Sequence, residues 1–364
     1  MIKLRQVRHL AVRLGMTEQE VTGVTENIGD YVQELLLHDP ARPDKPREVI
    51  NIVGPLRTLQ CRIYRRLLLP NLIPSIHSHG GVRGRHIKSG ILPHAGAEFA
   101  LATDISSFYP SIHHSRVYDL FAGPLECSPD VARLLTRLCT FDHHLALGLP
   151  TSPILADRLL ESIGRRIGKA CAHAGLAYTR FVDDISISGH YSLAPGSCGI
   201  AGLVVRILNQ HGFIVKKEKH KYGRLQDGFT ITSLRARRGR IDVSRQYMEE
   251  MDAQLLDAQR IAGGEMPIGL YYTYPQMRGR VEFAAWINHD RRRPLMRRLR
   301  SIDWRKVQKN AIALGLQSSK KQLRRRPSPL GAADNESSSN GVGDIETRGD
   351  VSTPCHSQSG RALA

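Results

Sequence analysis

Two aspartates stand side by side in "RFVDDISISG", residues 180–189, with Phe181 and Val182 before them and Ile185 and Ile187 after. Period-two alternation on the far side and a short apolar run on the near side read as strand, tight turn and strand, with Asp183 and Asp184 at the tip. Adjacent carboxylates repel, and neither can be buried bare. Any fold for this chain must therefore leave the tip open to water or supply a counter-charge. An exposed β-turn is the commoner setting for Asp-Asp. What sets this pair apart is the order of its neighbours.

Upstream, "EFALATDI" alternates Phe99, Leu101 and Thr103 against smaller residues and reads as a strand ending near Asp104. Between the two, "GLPTSPILADRLLESIGRRIGKAC" reads as a helix opening at Pro153, with Ile154, Leu155, Leu159, Ile163 and Ile167 at helical spacing. A strand-terminal aspartate facing an aspartate hairpin makes a hard-oxygen set that suits magnesium together with substrate phosphates. Two such ions, about 3.5 to 4 Å apart, can activate a 3' hydroxyl and stabilise a departing pyrophosphate. Metal would then relieve the repulsion.

The 52 Lys and Arg residues outnumber 34 Asp and Glu, a formal charge of +18. Clustered cations gain free energy by releasing counterions from phosphates, so a nucleic acid is the expected partner, with an acidic membrane surface as the rival reading of the charge. The 364 residues suit two or three subdomains. Six scattered cysteines without a C-x-x-C pair read as reduced thiols in a cytoplasmic protein. The greasiest stretch, "IYRRLLLPNLIPSI", is broken by arginines and prolines, so no membrane partner is expected. No P-loop or Ser-His-Asp pattern is present, and His113-His114 and His143-His144 lack zinc-like spacing, which leaves them as polar surface or nucleic-acid contacts.

The first forty residues read as helical, from a Thr17/Glu20 capping box through Val21, Val24, Ile28 and Val32 to "QELLLHD", until "PARPDKP" breaks the helix. A basic helix, "LRTLQCRIYRRLLLP", and a Gly and Arg cluster, "HGGVRGRHIKSG", follow. "AGLVVRILNQHGFIV" reads as a helix running into a strand, and the remainder to about residue 312 as basic helices. From Gln317 the composition shifts to Ser, Gly, Pro, Asp and Arg, which predicts a disordered tail.

These segments together resemble the bacterial reverse transcriptases, particularly retron-type enzymes and their group II intron-like and phage-defence relatives. "TDISSFYPSIHHSRV" resembles the first palm motif, "GLPTSPILAD" the second, "FVDDISIS" the Y-x-D-D hairpin and "GFIVKKEKHK" the Gly-Phe and Lys motif that follows. "REVINIVGPLRTLQCRIYRRLL" and "HSHGGVRGRHI" resemble the fingers blocks. The resemblance runs from about Arg47 to Trp304. It implies an α+β right-hand polymerase fold: an N-terminal helical segment (1–46), fingers (47–98), a palm with an antiparallel sheet backed by helices (99–240), a basic helical thumb (241–316) and the tail (317–364).

The implied function is an RNA-directed DNA polymerase that uses two Mg2+ ions, dNTP substrates and an RNA template or cognate non-coding RNA, and yields DNA. Its implied setting is cytoplasmic antiviral defence, with a possible effector protein. By resemblance, Asp104 and Asp183 bind the ions, Asp184 supports the hairpin and the Ile105 carbonyl adds a ligand. Tyr109 becomes the sugar gate and Ser152 and Pro153 shape the turn under template and nucleotide. Arg83 and Arg85 clamp the triphosphate, bidentate guanidiniums being suited to phosphate, and Lys219 faces the leaving pyrophosphate. Arg291, Arg292, Arg293, Arg297, Arg298, Arg300, Trp304, Arg305 and Lys306 become the thumb surface that grips a duplex or structured RNA.

The chain also departs from the pattern. Phe181 replaces the hairpin Tyr, Val182 a smaller residue, Leu147 the usual Gln before the Ser-Pro turn, and Ser233 a Gly of a retron-associated block. Untemplated or protein-primed synthesis by the same palm, and a non-catalytic RNA-binding protein on this scaffold, are the competing expectations. A group II intron protein fits less well, because the chain leaves no room for a maturase or Cys and His-rich nuclease region after the thumb. The gate assignment predicts that Tyr109→Ala raises ribonucleotide use relative to deoxynucleotide by roughly tenfold or more. Unchanged sugar discrimination in single-nucleotide incorporation would remove the assignment.

Overall fold

The computed structural model describes residues 2–40, 42–215, 220–237, 239–319 and 322–325, with Arg42, Pro43, Lys45 and 322–325 as backbone only. The described residues divide into two compact units: those within 2–74, 109–159 and 322–325, and those within 75–108 and 160–319.

In the first unit, helices α1 (Val7–Leu14) and α2 (Glu18–Glu26) precede a hairpin of β1 (Val32–Asp39) and β2 (Arg42–Ile52). The Thr17/Glu20 capping box opens α2 as its spacing predicts. The helix expected to continue to residue 39 instead stops at Glu26. An unbroken apolar run such as "ELLL" fits helix or strand equally, and here its cross-strand partner decides: Leu35 pairs with Val49 and Leu36 with Glu48. The prolines of "PARPDKP" do not end order either. Pro43 and Pro46 lie on β2, an edge strand whose outer side needs no N–H donors. The other edge is β10 (Gln322–Arg325), so part of the expected tail is a strand paired with β1. From residue 326 the tail lies outside the described residues.

Helix α3 (Gly54–Arg62) runs through a π-helical stretch (Ile63–Leu68) into α4 (Leu69–Asn71). This is the basic helix of the sequence. Its apolar face, Leu56, Leu59, Ile63 and Leu67, is fully buried. Two of its arginines turn inward instead: Arg66 and Arg62 donate to the carbonyls of Leu14 (2.7 Å) and Gly15 (2.6 Å), closing the end of α1. Helices α6 (His114–Ala122), α7 (Pro129–Cys139) and α8 (Ser152–Leu159) complete the unit. Buried Gln60 ties α3 to α7 through the Leu138 carbonyl (2.7 Å).

The second unit is built on an antiparallel sheet ordered β4-β5-β3-β6, from β3 (Phe99–Asp104), β4 (Ala177–Phe181), β5 (Asp184–Gly189) and β6 (Lys221–Arg224). β3 ends at Asp104, as its alternation predicts. Helix α9 (Glu161–His173) packs on β4, and α10 (Ile200–Asn209) packs on α9. A short helix α5 (Ile87–Ile91) precedes β3. A three-stranded sheet, β7 (Thr230–Ile231), β8 (Leu234–Arg237) and β9 (Arg240–Val243), occupies a stretch expected to be helical. Helices α11 (Arg245–Ala262), α12 (Tyr274–Ile287), α13 (Arg292–Arg300) and α14 (Trp304–Ala313) follow, sharing a core around Met251, Leu255, Val281 and Leu299. Antiparallel sheets and helices thus occupy separate stretches, an α+β arrangement.

His94, fully buried, fastens β4 to β5: one ring nitrogen meets Ser188 Oγ and the other Thr179 Oγ1, both at 2.7 Å. Burial, with a lesser push from His79, lowers its pKa from 6.5 to about 4. The fold therefore favours the neutral ring. That preference stabilises the protein fully above pH 6.5 and is lost as pH falls toward 4, over a range worth on the order of 3 kcal/mol. In urea unfolding, the wild type should lose more stability than His94→Gln between pH 7 and 5. Parallel pH profiles would contradict this account.

Candidate active site

The register of the four-stranded sheet sets the site. Phe181 faces Asp184 across the β4–β5 hairpin, and Asp184 in turn faces Asp104 at the end of β3. Directly opposed residues project from the same face with Cβ atoms about 4.5 to 5.5 Å apart, so Asp104 and Asp184 share one face. Asp183 lies one residue earlier, in the two-residue turn, and its carbonyl accepts the Ile105 N–H at 3.2 Å. Three aspartates, from segments distant in the sequence, thus meet at one sheet end. Asp104 and Asp183 are half-buried and Asp184 is exposed.

Among the described residues, no group of three or more His, Cys, Asp and Glu side chains forms a ready-made metal cluster. The sheet end offers fewer protein ligands than a closed cage. Its aspartates are hard-oxygen donors, the chemistry that magnesium takes together with water and substrate phosphates. The Ile105 backbone runs beside Asp183.

The hairpin tip is strained and braced. Val182 sits at φ 58°, a left-handed conformation that a β-branched residue adopts at a cost of order 1 to 3 kcal/mol. Buried Arg180 holds it there, donating from Nη1 to the Val182 carbonyl (2.7 Å) and from Nη2 to Ser78 Oγ (3.3 Å). The segment 77–79 lies alongside: Arg180 N–H donates to the His77 carbonyl (2.7 Å) and His79 N–H to the Arg180 carbonyl (2.8 Å). Gly80 then passes so close that a Cβ there would lie 2.6 Å from the Val182 nitrogen. Arg85 stiffens this loop, its Nη1 donating to the carbonyls of Ser75 and Ser78, both at 2.5 Å. Arg83 is exposed on the same loop and makes no ion pair among the described residues. The two predicted triphosphate arginines therefore differ: Arg85 builds the loop with one nitrogen, and Arg83 is open to an anion.

The remaining expected residues lie on other elements of the chain. Tyr109, Ser152 and Pro153 belong to the first unit. Tyr109 is half-buried, and Ser152, at the start of α8, buries an Oγ with no hydrogen-bond partner among the described residues. Leu147 is exposed, and its carbonyl accepts the Ile50 N–H (2.8 Å). Lys219 lies outside the described residues. Arg291 is committed to Asp242 (Nη2–Oδ2 2.7 Å) and Arg298 to Asp252, whereas Arg292, Arg293, Arg297, Arg300, Arg305 and Lys306 are exposed and free of ion pairs among the described residues. Trp304 is half-buried, donates Nε1–H to the Leu299 carbonyl (2.8 Å) and packs on Tyr274, which makes it an anchor of the helices. Gly80 and Arg180 were not anticipated. The Gly-Gly step before Val82 and an arginine inside an apolar strand were their only signals.

No protein-family model matches the chain. Among curated proteins, the retron Mx65 reverse transcriptase of Myxococcus xanthus is 31% identical over 197 residues, 49% of this chain and 45% of its own length. The retron Ec86 and Ec48 reverse transcriptases of Escherichia coli are 26% identical over 200 residues and 27% over 223. Retron reverse transcriptases are homologues of this chain. Ec86 and Ec48 match 55% and 58% of the chain and 61% and 54% of their own lengths. The chain thus spans about half the length of the retron reverse transcriptases it matches.

If the Gly80–Val182 approach positions the aspartates, Gly80→Ala should slow nucleotide incorporation by about a hundredfold, the loss expected for a displacement near 1 Å. The thermal midpoint should fall as well, because the atoms that the new methyl meets are backbone. Full activity with a folded variant would refute the bracing role.

Proposed function

We propose that this chain is an RNA-directed DNA polymerase that extends a primer at the β3–β5 sheet end. One observation carries the reading: Asp104 and Asp184 are register partners beside the Asp183 turn, in a chain homologous to retron reverse transcriptases. Asp104, Asp183 and the Ile105 carbonyl would hold two Mg2+ ions, and Asp184 supports the hairpin. When bound, such ions acidify the 3' hydroxyl and neutralise charge on the departing pyrophosphate.

The chain's own residues bind and orient. Arg83 is the available guanidinium for a dNTP phosphate, on a loop that Arg85 and Arg180 keep fixed. Tyr109 is the sugar gate, Ser152 and Pro153 support template and nucleotide, and Lys219 serves the leaving group. The unpaired cations on and after α13 contact backbone phosphates without regard to sequence. In this reading the first unit and the sheet supply fingers and palm, and α11–α14 the thumb. The template is a cognate non-coding RNA, the setting is bacterial antiviral defence in the cytoplasm, and an effector protein completes the system. No helix among the described residues is long and apolar enough to cross a membrane.

The purified chain, given a poly(rA) template, an oligo(dT) primer, dTTP and Mg2+, should extend the primer. Asp183→Asn should lower the rate by at least about 10²-fold. Equal extension by both proteins would overturn the site, and no extension by the wild type would overturn the function.

A further inference from the structure

A cavity of 610 Å³ lies wholly inside the first unit and plays no part in the proposed chemistry. Its apolar lining comes from Val32, Ile50, Ile52 and Leu56 of the β1–β2 hairpin and the start of α3. Tyr118 of α6 and Phe141, just after α7, add aromatic surface. The polar part of the lining includes two cations. Arg133 and Arg137 stand one turn apart on α7, both exposed. Arg137 has no ion pair among the described residues, and the exposed Arg133–Asp130 pair (3.1 Å) is of the kind that contributes little.

The loop closing the cavity is held in an uncommon shape. Asp142 and His143 both have positive φ, 44° and 64°, two successive non-glycine residues in the left-handed region. Phe141 and His144 exchange backbone hydrogen bonds (2.9 and 3.0 Å), and the His143 carbonyl accepts from the His114 N–H (2.7 Å). These bonds fix a two-residue turn that places Asp142 and His143 on the cavity lining.

We infer that this cavity takes an unstacked base of a single-stranded RNA, with the neighbouring phosphates on Arg133 and Arg137. Its volume falls in the range of small-ligand pockets. A flat base with polar edges matches an apolar slot carrying aromatic and imidazole rings, and splayed-out bases are the usual target of sequence-specific RNA recognition. Paired guanidiniums are suited to phosphate oxygens. Asp142 accepts from an exocyclic amino group, as acidic side chains do from the amino group of cytosine, which favours cytosine or adenine over uracil. An apolar side chain of a protein partner would fill the same slot but gives the two arginines nothing to bind. The inference rests on the proposed function for its RNA partner. It adds a site where that RNA is recognised by the first unit.

The test uses the full chain and fluorescent oligo(rC), oligo(rA) and oligo(rU) of about twelve nucleotides. Fluorescence anisotropy should show oligo(rC) or oligo(rA) bound more tightly than oligo(rU). Val32→Phe, which fills the slot, and Tyr118→Ser, which removes a wall, should each weaken the preferred oligomer by about tenfold. Arg137→Ala should weaken all three alike. Ultraviolet cross-links should map to peptides carrying Tyr118 or Phe141, and primer extension on poly(rA) should stay at the wild-type rate. Unchanged affinities in both slot variants, cross-links confined to other peptides, or occupancy by an apolar peptide that the oligomers do not displace would each overturn the inference. Because extension is measured on the same samples, loss of polymerase activity in the wild type would be seen as a separate failure, that of the proposed function.

Discussion

The antiparallel pairing of β3 with β5 is the constraint on which the site depends. Six consecutive partners, from Phe99↔Gly189 to Asp104↔Asp184, fix which residues of two distant segments face one another. A slip of one residue would turn every side chain of a strand to the opposite face and send Asp104 among the residues that pack beneath the sheet. Register is enforced from both sides. Leu101 and Ile187 are paired and fully buried on one face, and on the other His94 ties Ser188 to Thr179. Hydrophobic burial and two hydrogen bonds to one ring thereby place carboxylates they never touch.

The arginines divide into two kinds, and the division explains how a chain of charge +18 folds. Some are structural: Arg62 and Arg66 close α1, Arg180 and Arg85 brace the hairpin and its loop, and Arg291 and Arg298 join aspartates. Others, among them Arg83, Arg292, Arg293, Arg297 and Arg300, are exposed without an ion pair among the described residues. Cations of the second kind repel one another unless a polyanion arrives. Of those named, four lie on α13 and Arg83 lies on the Gly80–Arg85 loop, where the proposed reaction needs phosphate contacts.

The aspartate hairpin was legible because two adjacent carboxylates between apolar runs admit few placements, and β3 because it alternates. The β1–β2 hairpin was hidden. Val32, Leu35 and Leu36 satisfy a helical stripe as well as a strand, and only Val49 and Ile52 across the ladder settle the matter. β6 to β9 were missed since "LRAR" and "RIDV" are short and carry arginine, and their apolar members, Leu234, Ala236 and Val243, become a core face only once they join the core of the helices, with α12 packed on β9. Arg291 and Trp304 read as surface residues because composition does not reveal that Asp242 and Tyr274 wait opposite them. The brace at Gly80 depends on a backbone contact far away in sequence, which no local pattern records.

The account therefore reduces to a geometric claim about oxygen donors at a sheet end. Manganese, a magnesium substitute visible by electron paramagnetic resonance, tests it directly when titrated into the protein with primer, template and dTTP. The account predicts tight manganese binding by the wild type and its loss in Asp104→Asn, with folding and RNA binding retained. Equal manganese binding by the two proteins would contradict it.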